Sequence, residues 1–158
     1  MVSAPRSSID MDAATKQRLR LWIRMLRAVR LIEGDLREKL KTQFNTTLPR
    51  FDVMAALYRQ PDGMLMSDLS RFLLVSNGNV TIIIDRLVAD GLVVRALRKG
   101  DRRTSIVSLT SKGIAVFRGM ASAHEEWVDK LLGGIGVGEA RRLAAMFRTF
   151  ESNWEHEA

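Results

Sequence analysis

The stretch 92–113, LVVRALRKGDRRTSIVSLTSKG, decides how this chain folds. Two runs rich in β-branched residues, 92–97 and 104–110, alternate in part between apolar and polar positions. They flank RKGDRR, whose Gly and Asp are turn formers. The combination predicts a β-hairpin with Arg98, Lys99, Arg102 and Arg103 at its tip. Four cations on one turn are either a solvated loop or a tool for a polyanion, and the chain around the hairpin decides between the two.

Upstream, Gly91 stands where a helix closes, supplying a left-handed residue without a Cβ clash. The helix it closes spans Val80 to Asp90, and VSNGNV interrupts the chain before it. A shorter helix, SDLSRFLL, precedes that break, with Ser67 expected as its N-cap. Before it QPDGML reads as a turn, ending a helix from Pro49 to about Arg59 that turns Phe51, Met54, Ala55 and Leu57 inward. Thr47 suits the cap of that helix and Pro49 its first turn. The chain opens with a helix from Ala13 to about Phe44, on which Leu19, Trp22, Leu26, Val29, Leu36 and Leu40 recur at helical spacing. Leu21, Ile23, Met25 and Ile32 add a second apolar face, more than one small core can use, so a second subunit is the simplest cover for it. Downstream, a helix from Ser111 to Leu132 ends at the glycine-rich GGIGVGE. A last helix, from Glu139 to about Trp154, aligns Leu143, Met146, Phe147 and Phe150.

The 158 residues suit one compact domain. Residues 1–12 are expected to be a flexible N-terminus, without the apolar core of a signal peptide, and no run approaches a membrane span. The chain is therefore expected in the cytoplasm. No cysteine is present, which excludes disulfides, thiolate metal sites and cysteine redox sensing. With only two histidines and no metal-ligand spacing, no metal or cofactor is expected. No triad and no glycine-rich phosphate loop argues for an enzyme. The net charge of +7 is unevenly placed: residues 1–45 carry ten basic against five acidic side chains and residues 86–112 seven against two, whereas 113–158 carry five against seven. A localised basic excess suits a polyanion, because cations that neutralise phosphates release condensed counterions.

Short helix, turn, second helix, then hairpin is the order of a winged helix-turn-helix, in a fold that is mainly α with a small β-wing. The second helix of such a motif offers its outer face to a DNA major groove while its inner face holds the core. From Ser76 to Asp90, the inner positions are Val80, Ile84, Leu87 and Val88; the outer ones are Asn77, Gly78, Asn79, Thr81, Ile82 and Arg86. Asn can pair with adenine, and Ile or the Thr methyl can meet the methyl of thymine. Ser76, Asn77, Asn79, Thr81, Ile82 and Arg86, together with Arg98, Lys99, Arg102 and Arg103 of the wing, are therefore the candidate DNA contacts. Asn77 and Asn79 also suit helix capping, which is compatible with base contact at different positions.

The segment SDLSRFLLVSNGNVTIIIDRLVADGLVVRALRKGDRRTSIVSLTSKG, above all DRLVADGLV followed by GDRRTSIVSLTSKG, resembles the MarR-type transcriptional regulators. The resemblance extends over residues 15–155. It implies a homodimer built on helices at 13–45 and 111–155, with a winged helix-turn-helix at 46–110 reading a palindromic operator. It also implies that Asp85 pairs with Arg103, bracing the wing against the recognition helix. Where the family commonly has a basic residue this chain has Ile82, so base preference does not carry over. The resemblance further implies a small-molecule effector, an aromatic acid or its CoA thioester, that releases a repressor from DNA. Candidate effector contacts are Trp22, Met25 and Val29, the stripe of Arg20, Arg24 and Arg27, Met54 and His124; the stripe also suits a solvated face and His124 a structural role. A constitutive architectural or protein-interaction module is the rival reading.

Overall fold

The computed structural model describes residues 12–97 and 104–157, with the side chains of 153–157 left aside; the expected flexible N-terminus lies outside the described residues except for Asp12. Among these residues, six helices and three strands follow in the order α1 (Ala13–Phe44), α2 (Leu48–Tyr58), β1 (Met64–Leu65), α3 (Met66–Leu73), α4 (Asn77–Ala89), β2 (Val93–Leu97), β3 (Ser105–Leu109), α5 (Ser111–Leu131) and α6 (Val137–Glu157). Local chemistry sets most boundaries. The Asp12 carboxylate accepts from the backbone N–H groups of Ala14 and Thr15 to start α1, and Asn45, at φ 49°, ends it. Thr47 accepts from the Arg50 N–H at the start of α2, with Pro49 in its first turn as expected.

The hairpin forms with Val93 opposite Leu109 and Leu97 opposite Ser105. A third strand, hidden in QPDGML, joins it: Met64 pairs with Val107 and Leu65 with Ile106, giving the antiparallel order β1-β3-β2. Gly63 enters this strand at φ +88°, where a Cβ would stand 2.6 Å from the Ile106 side chain. The same pairing corrects the expected cap of α3. The chain passes from β1 directly into the helix at Met66, so the N-cap is Leu65, without a side-chain bond, and Ser67 lies inside the first turn.

The core gathers around α2. Val53, Met54 and Leu57 pack with Leu69 of α3, Val80, Ile84 and Leu87 of α4, Val107 of β3 and Leu40 of α1, all at most 1% exposed; Phe117, Met120 and Trp127 bring in α5. Val88, expected inside, is exposed because it lies at the edge of the buried arc of α4. Of the expected apolar stripe on α1, Leu36 and Leu40 are buried, whereas Leu19, Trp22 and Val29 are exposed. Every described side chain of α6 is exposed, Leu143, Met146, Phe147 and Phe150 included.

One junction ties the recognition segment to α5. The Thr110 hydroxyl donates to the Gly91 carbonyl at 2.7 Å and accepts from the Gly113 N–H at 2.9 Å, while the Lys112 ammonium donates to the Asp90 carbonyl. Arg50 of α2 adds a 2.5 Å ion pair to the Asp90 carboxylate.

Candidate nucleic-acid interface

At about 100° per residue, Val80, Ile84 and Leu87 define the inner side of α4, and the opposite side carries Gly78 and Ile82, flanked by Asn79 and Arg86 on one edge and Thr81 and Asp85 on the other. All six outer residues are exposed. The first turn is held from within. Ser76 caps the helix by accepting from the Asn79 N–H at 3.3 Å. The Asn77 amide is tied to Ser70, the one buried polar side chain among the described residues, and the Ser70 hydroxyl also reaches the Ser67 carbonyl at 3.0 Å. Thr81 donates to the Asn77 carbonyl at 2.9 Å. Ser76, Asn77 and Thr81 therefore shape the turn, whereas the side chains of Asn79, Ile82 and Arg86 are exposed, and those of Asn79 and Arg86 make no hydrogen bond among the described residues.

From the edge of this outer face, Asp85 accepts from Arg95 of β2 at 2.8 Å, joining recognition helix to wing. Arg95 was not among the expected residues. Strand alternation puts it on the face of β2 that carries the buried Val93, opposite the buried Val107 of β3, and it is this inner face that meets the acid ten positions earlier on α4. The expected partner Arg103, with Arg98, Lys99 and Arg102, lies outside the described residues.

The expected effector residues are not gathered in one place. Arg20, Arg24 and Arg27 lie about 160° around α1 from Trp22 and Val29, on the opposite face. Met25 is half-buried, and Met54 is 1% exposed inside the core. His124 stacks on Phe51, ring centroids 4.5 Å apart; burial pushes its imidazole below the usual value, with Glu125 opposing. What sequence reading missed is a groove of about 240 Å³ between α1, α2 and the α3–α4 turn. Leu48, Val53, Leu73 and Ile83 supply apolar walls, and Glu33, Arg37 and Asp52 supply charge. Glu33 pairs with Arg37 at 2.9 Å. Partial desolvation, and then the charge of Glu33, push the Asp52 carboxyl up to about 6, against the pull of Arg37. Among the described residues no group of His, Asp or Glu side chains is placed to hold a metal ion.

Residues 44–104, the α2-to-wing segment, match the family model described as MarR family. YkoM of Bacillus subtilis (strain 168), named as a helix-turn-helix-type transcriptional regulator, is 30% identical over 124 residues, covering 78% of this chain and 79% of its own length. A MarR family transcriptional regulator from Silicibacter pomeroyi is 31% identical with a TM-score of 0.74, over 91% of this chain and 99% of that one. The fold is also that of S. aureus MepR in complex with DNA, at 22% identity and TM-score 0.70, over 84% and 96% of the two chains. With the winged helix-turn-helix in place and relatives at this level over most of its length, this chain belongs to the MarR family of DNA-binding transcriptional regulators.

Proposed function

We propose that the chain acts in the cytoplasm as a homodimeric, ligand-responsive repressor of a palindromic operator. The observation that carries this reading is the outer face of α4: a row of exposed small, polar and apolar side chains on a helix capped by Ser76 and braced to the wing by Asp85 and Arg95. Asn79, Ile82 and Arg86 are assigned to the major groove, with Ser76, Asn77 and Thr81 holding the first turn of the helix beside the backbone. Arg98, Lys99, Arg102 and Arg103 of the wing are assigned to phosphates or the neighbouring minor groove, with Arg103 a second brace on Asp85. Dimerisation rests on the apolar surface that α1 and α6 leave uncovered in one chain, Trp22 and Phe147 among it. Two recognition helices then meet successive major grooves about 34 Å apart.

The effector is an aromatic carboxylate or its CoA thioester, seated between α1 and the winged helix. A single-ring acid matches the 240 Å³ groove beside Arg37, whereas a thioester would have to extend beyond it, wrapping α1 to reach both Trp22 and the arginines on the far face. Because Ile83 of α4 lines this groove, a ligand there acts on the recognition helix directly and shifts the population of DNA-competent spacings. The test is a mobility shift on the DNA upstream of the gene, at fixed salt, with and without benzoate, p-coumarate and their CoA thioesters. Binding released by one of them is the expected result. Binding that none disturbs returns the chain to an effector-independent architectural role, and absence of sequence preference overturns the reading.

A further inference from the structure

The outermost line of α4 is neither of the amides that a groove-reading helix usually offers. It is Gly78 and, one turn along, Ile82. Gly78 has a negative φ and nothing within 4 Å of the place where a Cβ would stand, so neither backbone conformation nor crowding inside the chain calls for glycine. Glycine within a helix is unfavourable relative to alanine. Gly34 and Gly119 share this freedom on α1 and α5, so open space alone does not single out Gly78. Its setting does, because Asn77 before it is tied down by Ser70 and Ile82 after it stands 54% exposed at the centre of the face. Bare backbone beside an exposed branched alkyl group forms a shallow apolar seat, and the one apolar group on a base edge in the major groove is the C5-methyl of thymine.

We infer that Ile82, approached across the bare backbone of Gly78, is a specificity-determining residue that reads a thymine methyl in the operator half-site. The inference rests on α4 being the major-groove helix of the proposed function. Asn79 and Arg86, on the flank, read or anchor the neighbouring positions, and Asn77 is a positioning residue.

The test starts from a duplex selected by the full-length chain from a random-sequence library, then resynthesised with deoxyuridine at every thymine, which removes the methyl groups alone. Fluorescence anisotropy at fixed salt is expected to show affinity falling about fourfold for one contacted methyl and about fifteenfold where two half-sites are engaged. Ile82→Ala and Ile82→Ser, both at an exposed position, should bind the two duplexes equally, having lost the affinity that the methyl contributed. Gly78→Ala should melt higher than the parent chain yet bind both duplexes more weakly. Equal binding of the two duplexes by the parent chain overturns the inference, as does an undiminished thymine preference in both Ile82 variants, or a Gly78→Ala chain that binds as before. Selection that returns no preferred sequence fails the operator-reading function itself, and this inference with it; a preferred sequence indifferent to deoxyuridine fails the inference alone.

Discussion

Gly113 has no room for even a methyl group: a Cβ there would stand 2.0 Å from the Leu92 carbonyl oxygen and 3.3 Å from Leu109. The first turn of α5 presses on the end of the recognition segment at this point, and the nearer contact is backbone, which cannot swing aside. Gly113→Ala is expected to lower stability by about 3 kcal/mol, read by chemical denaturation. Asp52 makes a prediction of a different kind. Its carboxyl moves from an ordinary 3.8 up to about 6 on folding, so between those values the folded chain holds a proton that the unfolded chain has released. Stability from this group is therefore present at low pH and lost as pH rises through that window. Asp52→Asn, which is neutral throughout, should melt above the parent chain at pH 7.5, with the difference closing toward pH 4. A parallel pair of melting curves across that range would refute the assignment.

Among elements, one hydroxyl serves both sides of the joint between the end of α4 and α5, alongside the bond from Lys112. Thr110 caps α5 and also holds the Gly91 carbonyl at the end of α4, so Thr110→Ala should cost about 1–2 kcal/mol and Thr110→Ser should recover most of it, measured by denaturant titration. The elements legible in the sequence were those written in local chemistry: α1, α2, α4 and α5 follow helical apolar spacing, with Thr47 and Gly91 marking a start and an end, and β2 and β3 follow their β-branched runs. Strand β1 was not legible. Two residues carry no periodicity, and Met64 and Leu65 become a strand only because Val107 and Ile106, some forty positions on, present an edge to them. That remote pairing also moved the start of α3 and left Ser67 without its capping role. The outer face of α4 could be read from spacing, but the division of labour within it could not. Whether Asn77 is free or tied depends on Ser70 in another helix, and whether Asp85 meets Arg95 depends on which face of β2 packs toward α4.

In the whole molecule, burial is lopsided. The winged half is closed around α2, while most of the first half of α1 and all described side chains of α6 face outward with large apolar groups, Leu21, Trp22, Ile23, Met146 and Phe147 among them. If a second copy covers them, Met146→Glu and Phe147→Glu together should shift sedimentation from dimer to monomer and weaken operator binding at least tenfold, while the winged core keeps its near-ultraviolet spectrum. A double variant that stays dimeric would place the interface elsewhere. A segment whose side chains find no cover in their own chain draws its order from mass action. Promoter occupancy would then follow the square of the number of chains at low abundance, so halving gene dosage would reduce occupancy fourfold rather than twofold, and lone chains would be open to proteases along α6.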